Sequence, residues 1–159
     1  MKKKARSIAV LVTCLFLTIV ISCQSPVIFD EVVEFGENGW HKEEVAEFNV
    51  DIKDTSLIMD VGMTFLHGED YPYSNLWLFI DMEYEDSLMA KDTIEFFMSE
   101  VSGKWLGDKQ GNGYEFSILY QHGVKVGKPG NYNFKITQGM RHEVLPNIES
   151  VEFWMQKVN

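Results

Sequence analysis

The stretch SNLWLFIDMEYE, residues Ser74–Glu85, alternates between apolar side chains and a second set that becomes acidic toward its end. Apolar residues occupy every even position from 76 to 84, and between them lie Trp77 and Phe79, followed by Asp81 and Glu83. A period of two places the two sets on opposite faces of a β-strand. The stretch therefore predicts a strand with one face in the core and a second face that carries both aromatic residues and the carboxylates.

Similar segments recur along the chain and are separated by turn residues such as Glu37–Gly39, Asn112–Gly113 and Lys128–Gly130. No stretch leaves room for a long helix. About eight strands with long crossing loops predict an all-β fold, a single antiparallel β-sandwich that is jelly-roll-like rather than an up-and-down barrel. The eight predicted strands are Val27–Phe35, Phe48–Ile52, Leu57–Phe65, Leu76–Tyr84, Thr93–Met98, Tyr114–Tyr120, Tyr132–Ile136 and Glu149–Lys157.

The N-terminus has the layout of a bacterial export signal, with a basic start followed by the apolar run Ile8–Ile21. As a helix this run covers only about 21 Å, which is short of the roughly 30 Å hydrocarbon core of a membrane. The run ends in Val20–Cys23, which resembles a lipobox. We therefore predict a lipoprotein signal peptide at residues 1–22 and a lipid-anchored β-sandwich domain at 23–159, with lipidation on Cys23. An ordinary secretory signal or an uncleaved anchor is the alternative.

The two cysteines support an envelope protein without disulfides. Cys14 lies in the predicted signal peptide, and the lipid thioether consumes Cys23, so the mature domain depends on its core for stability. The covalent lipid is the only prosthetic group that the sequence predicts. Gln24 is not the aspartate that retains some lipoproteins in the inner membrane, and we expect an outer-membrane location facing the periplasm.

Charge narrows the class of partner. The predicted signal peptide contains four of the 14 Lys and Arg and none of the 24 Asp and Glu, which leaves ten basic against 24 acidic residues, a formal charge of −14. Such a domain repels phosphate backbones, so nucleic acid is excluded as a partner. Contact with the membrane is expected through the lipid.

No catalytic or metal-binding pattern is present. The four histidines share no ligand spacing and are expected in solvent, and the serines lie in no GxSxG context. The loop from Asp108 resembles the start of a calcium loop but has Leu119 where a bidentate glutamate is required. We therefore predict a protein that is not an enzyme and holds no metal.

Three segments together carry a family resemblance: Tyr71–Phe79, Gly103–Gly107, and Gln138–Arg141 followed by Leu145–Ile148. In this order behind a lipobox, they resemble the gliding-motility-associated lipoproteins of the GldH type. Gly39–Trp40 and Asp92–Phe96 extend the resemblance over most of the mature chain. The final strand, Ser150–Gln156, departs from it, because a smaller or glycine-containing segment is expected there.

The resemblance implies an envelope lipoprotein of the gliding machinery, without enzyme activity, whose partners are other envelope proteins. The candidate contact residues for a partner or ligand are Tyr71, Tyr73, Trp77, Phe79, Trp105 and Arg141. For Trp77 and Phe79 the alternatives are contact at the surface and burial under a loop, and we expect burial. We expect Trp105 to fold back as a plug rather than protrude, and Arg141 to pair with a carboxylate.

Two functions follow from these observations. The first is a non-catalytic structural or interaction component of the gliding machinery. The alternative is a lipid-anchored carbohydrate-binding module, in which tryptophan and tyrosine rings stack on sugars. A coplanar, exposed platform of Tyr73, Trp77 and Trp105 would favour the second.

Overall fold

The computed structural model describes residues 27–158, which form eleven β-strands and no helix. The predicted signal peptide and Cys23 lie outside the described residues. Within them, no helix has the length and apolar character needed to cross a membrane. The strands are β1 Val27–Glu34, β2 Trp40–His41, β3 Ala46–Ile52, β4 Met59–Gly68, β5 Asn75–Tyr84, β6 Ser87–Phe97, β7 Asp108–Gln110, β8 Gly113–Val124, β9 Gly130–Gln138, β10 Val144–Leu145 and β11 Ile148–Lys157.

The long strands form a jelly roll. One sheet has the order β1-β11-β4-β8-β7 and the other β3-β9-β5-β6, and all pairs are antiparallel. The first long strand pairs with the eighth, the second with the seventh, the third with the sixth and the fourth with the fifth. This nested pairing arises when one long antiparallel hairpin folds over into two sheets, which is the jelly-roll topology, and it confirms the predicted fold.

The two sheets pack face to face around a core of aromatic and aliphatic residues. Phe153 of β11 lies between Phe48 of β3 and Phe134 of β9, with ring centroids 5.3 and 4.6 Å away. Nearer the other edge, the Tyr120 hydroxyl of β8 donates to the Asp92 carboxylate of β6. Burial, and secondarily this hydrogen bond, raises the pKa of Tyr120. Contacts between the sheets thus run from one edge of the sandwich to the other.

All eight predicted strands are present, and the structure adds three short ones. β2, β7 and β10 contain only two or three residues, so they have no period that a sequence pattern could reveal. The expectation that the histidines face solvent is wrong for His67, which is fully buried. His67 continues the inward-facing alternation of β4 after Phe65 and therefore points into the sandwich.

The final strand explains its own departure from the expected pattern. Trp154 of β11 pairs with Gly62 of β4 on the outer face of the five-stranded sheet. A Cβ at Gly62 would lie 2.0 Å from the Trp154 ring, so the indole occupies the space that a side chain would need. The large residue in β11 is matched by the absence of one in β4.

The strand directions define two ends of the sandwich. The Val27 end contains the start of β1 and segments 53–58, 85–89, 125–129 and 157–158. The Trp105 end contains segments 34–45, 69–74, 98–112 and 139–149. β4, with ten residues at about 3.3 Å each, separates the two ends by roughly 30 Å.

Candidate functional site

A groove of about 460 Å³ opens on the outer face of the four-stranded sheet, close to the Trp105 end. We call it the Trp77 groove. The groove is lined by Tyr73, Asn75, Trp77, Gly139, Met140, Arg141 and His142. It brings together three of the six candidate contact residues, Tyr73 and Trp77 from one segment and Arg141 from a distant one.

Backbone contacts hold one wall of the groove against β5. The Gly139 N–H donates to the Trp77 carbonyl at 2.6 Å, and the Trp77 N–H donates to the Met140 sulfur at 3.4 Å. Trp77 nevertheless keeps 38% of its surface exposed and Phe79 45%. The expected burial of this aromatic pair under a loop is therefore wrong, because the segment after β9 covers only one side of it. A Cβ on Gly139 would meet the Phe79 ring at 3.2 Å, so the segment itself contacts that residue.

Gln138 shapes the groove although it was absent from the candidate residues. Its side chain is buried and fixes the loop at two points, since its Nε2 donates to the His142 carbonyl and its Oε1 accepts from the Met140 N–H, both at 2.9 Å. The sequence contains a signal for this role. Gln138 follows Tyr132, Phe134 and Ile136 in the inward-facing positions of β9, where a polar side chain requires hydrogen-bond partners.

The charges beside the groove are almost all satisfied. Lys91 contacts Asp81, Lys135 contacts Glu83 at 2.8 Å, and Asn75 donates to Glu95 at 2.6 Å. The hydrogen bond to Glu83 raises the pKa of Lys135.

Arg141 is the exception, since no carboxylate within residues 27–158 lies at ion-pair distance from its guanidinium. The predicted ion pair is therefore not formed. Its exposed guanidinium borders the groove beside Trp77. The groove can thus offer a cation and an aromatic surface to the same ligand.

Trp105 and Tyr71 belong to a different cluster at the Trp105 end. The Trp105 ring packs 4.8 Å from His67 and 6.1 Å from Tyr71, and its Nε1 donates to the Glu69 carbonyl at 3.2 Å. Trp105 is half-buried and rests on the core, as a plug would. Tyr71 is 3% exposed and donates to the Asn75 carbonyl at 3.0 Å, so it is a core residue and not a surface contact.

The backbone explains why Trp105 folds back. The Leu106 N–H donates to the Met98 carbonyl at 2.9 Å, which holds the segment to the end of β6. Gly107 has a φ of +87°, and a Cβ there would lie 2.2 Å from the Glu115 carbonyl oxygen. Only glycine can pass so close to β8. Trp105, two residues earlier, packs against His67.

His67 completes the cluster as a buried imidazole. Its Nδ1 lies 3.0 Å from the Gly68 carbonyl, while its Nε2 has no hydrogen-bond partner in the described part of the chain. Burial lowers the pKa of His67, because the charged imidazolium would lose its hydration. This end of the sandwich is therefore built for packing.

The described residues contain no group of three His, Cys, Asp or Glu side chains that could hold a metal ion. The fold and the groove together define a class, an all-β jelly-roll domain with an aromatic surface groove. The sequence profile of the GldH lipoprotein family matches residues 27–153. This chain belongs to that family.

Two relatives agree with this assignment. The gliding motility lipoprotein GldH homolog of Christiangramia forsetii is 30% identical over 143 residues, which cover 86% of this chain and 87% of the relative. The gliding motility lipoprotein GldH of Flavobacterium johnsoniae is 27% identical over 135 residues, which cover 84% and 83%. A crystal structure of dimeric latent PorU from Porphyromonas gingivalis matches 86% of this chain and 14% of its own, at 9% identity and a TM-score of 0.30, too low to carry an argument.

Proposed function

We propose that this chain is a non-catalytic interaction component of the gliding-motility machinery, held in the envelope by a lipid on Cys23. Residues 1–22 are its signal peptide, and the domain faces the periplasm from the outer membrane. The names of the two relatives and the family match support the gliding role. The lipobox supports the anchor.

The observation that carries the interaction role is the Trp77 groove. It combines an exposed tryptophan with an arginine that has no carboxylate partner among residues 27–158. Tryptophan, tyrosine and arginine are the residue types that dominate the binding energy of protein interfaces. Because Arg141 is a cation in an acidic domain, the partner protein presents a carboxylate to it, next to an apolar group that covers Trp77.

The carbohydrate-binding alternative lacks the arrangement that it requires. Trp105 packs on His67 and Tyr71 at the end of the sandwich, whereas Trp77 lies on the face of the sheet. Tyr73 tilts against His142, with ring centroids 5.3 Å apart. The three rings do not share one exposed platform, which favours a protein partner.

Site-specific photo-crosslinking in cells tests the groove. A photoreactive phenylalanine analogue replaces Phe79, and in a matched control it replaces Leu119, which is 52% exposed on the other sheet. We expect a discrete adduct between position 79 and an envelope protein, and Arg141→Ala should reduce the yield of this adduct. The same adducts from both positions, or none from position 79, would contradict the proposal.

Lipidation is tested separately. Cys23→Ser should abolish incorporation of labelled palmitate and release or mislocalise the domain, because a serine at this position offers no thiol for the lipid thioether. Normal labelling of this variant would overturn the anchor.

A further inference from the structure

The lipid anchor fixes which part of the domain can reach the membrane. This step rests on the proposed lipidation of Cys23. Only Gln24, Ser25 and Pro26 separate that residue from Val27, the first residue of β1. Four residue steps span at most about 14 Å, which is half the length of the sandwich. The Val27 end therefore stays close to the lipid surface. An inverted domain, with the Trp105 end on the membrane and the Val27 end pointing away, is excluded because the linker is too short.

The two ends of the sandwich differ in charge, and the less acidic Val27 end is the one suited to contact with anionic lipid. The Val27 end contains Lys53, Lys125, Lys128 and Lys157 against three carboxylates, in segments 53–58, 85–89, 125–129 and 157–158. Segments 34–45, 69–74, 98–112 and 139–149 at the Trp105 end contain ten carboxylates against four cationic side chains. In a domain of formal charge −14, the loop segments of the Val27 end carry a net charge of +1 and those of the Trp105 end −6, although Lys53 is paired with Asp51 at the end of β3.

Apolar side chains are exposed at the same end. Ile58 is 48% exposed, Leu88 53% and Met89 58%, and Val27 itself is 40% exposed. The Ile58 carbonyl accepts from the Val158 N–H at 2.9 Å, directly before β4 and after β11 of the five-stranded sheet. Leu88 and Met89 lie near the start of β6 in the other sheet. Both sheets thus contribute exposed apolar side chains to the Val27 end.

We propose that the Val27 end is a docking surface for a phospholipid bilayer. Exposed Ile58, Leu88 and Met89 enter the headgroup region, and the lysines lie near lipid phosphates. The surface orients the domain, because its small positive charge is too weak to hold a protein without the acyl chains. In this orientation the Trp77 groove opens sideways, on the outer face of the four-stranded sheet, near the end of the domain that faces away from the membrane.

Fluorescence quenching by lipid-borne nitroxide tests this orientation. The purified lipidated protein is incorporated into vesicles of phosphatidylethanolamine and phosphatidylglycerol that carry nitroxide-labelled headgroups. Because the mature chain has no cysteine besides Cys23, one thiol can be introduced and labelled at a time. Ile58→Cys and Met89→Cys report on the Val27 end, and Val101→Cys and Leu119→Cys are controls. All four positions are exposed, so labelling leaves the fold intact.

We expect strong quenching at 58 and 89, weaker quenching at 119 and none at 101. Equal quenching at all positions, or the strongest quenching at 101 or 119, overturns the docking surface. If the wild-type protein fails to float with the vesicles, the lipid anchor is wrong and the docking surface falls with it. Flotation with the wrong quenching pattern overturns the docking surface alone.

Two sets of lysine replacements, one at each end of the sandwich, test the contribution of charge. Replacing Lys53, Lys125, Lys128 and Lys157 by glutamine should leave flotation unchanged and reduce quenching at position 58. Replacing Lys42, Lys104 and Lys109 at the other end should change neither. Equal effects of the two replacements contradict a contact between the lysines and lipid phosphates.

Discussion

Trp105 and Trp77 lie in neighbouring parts of one molecule and have different surroundings. Trp105 folds onto His67 and Tyr71, and its indole N–H is used by the Glu69 carbonyl. Trp77 projects from the outer face of β5, where its backbone forms hydrogen bonds with Gly139 and Met140. The first ring stabilises the end of the sandwich, and the second leaves its surface for a ligand. Contacts, not residue type, distinguish a tryptophan that packs on the fold from one whose ring stays accessible.

The largest expected effect is the loss of stability on replacing Trp105. Trp105→Ala removes a half-buried ring and should cost about 3 kcal/mol, the lower end of the range for emptying a buried aromatic site. For a domain of this size the melting midpoint should fall by about 10 °C. Thermal unfolding followed by circular dichroism measures the shift. An unchanged midpoint with lost partner binding would instead make Trp105 a contact residue.

The corresponding change at Trp77 should affect binding and not stability. Trp77→Ala should shift the free energy of unfolding by no more than about 0.5 kcal/mol, as is usual for surface positions. Partner affinity should weaken by about 2 kcal/mol, or roughly 30-fold, if the ring is an interface hot spot. Titrating the wild-type protein and the Trp77→Ala variant with the partner identified by crosslinking measures the change in affinity. A large fall in the melting midpoint would remove the contrast with Trp105.

The Trp105 end should also make the stability of the domain depend on pH. Burial lowers the pKa of His67 below its ordinary value of 6.5. Below that pH the unfolded chain binds a proton that the folded chain resists, so stability is complete above about pH 6.5 and decreases as the pH falls through it. The slope cannot exceed about 1.4 kcal/mol per pH unit for one group.

Two variants isolate this contribution. His67→Phe keeps an aromatic ring in the cluster and should flatten the dependence of the melting midpoint between about pH 7.5 and 5.5. His122→Gln, which changes an exposed histidine 2.7 Å from Asp60, should leave the His67 contribution in place. An unchanged slope in His67→Phe would show that the buried imidazole does not titrate with unfolding.

The sequence predicted the long strands and the faces of Trp77 and Phe79, because a period of two extends over many residues there. The burial of His67 was also encoded, since it continues the odd-numbered inward positions of β4 from Met59 to Phe65. The predicted pairing of Arg141 failed for a different reason. Three acidic residues on that face of the sheet are already bound to Lys91, Lys135 and Asn75, and such pairing depends on the three-dimensional register of β5, β6 and β9.

The smallest expected effect distinguishes the shape of the Arg141 guanidinium from its charge. Arg141→Lys keeps the positive charge but loses the planar fork that binds a carboxylate through two parallel hydrogen bonds. Partner affinity should therefore weaken by about 1 kcal/mol, less than for Trp77→Ala, and the free energy of unfolding should not change, because Arg141 makes no ion pair within residues 27–158. Arg141→Ala should weaken binding further and reduce its dependence on ionic strength. If lysine restores full affinity, the arginine acts as a point charge and the partner needs no carboxylate in a fixed orientation. If neither substitution changes affinity while Trp77→Ala does, the groove recognises its partner through the aromatic surface alone.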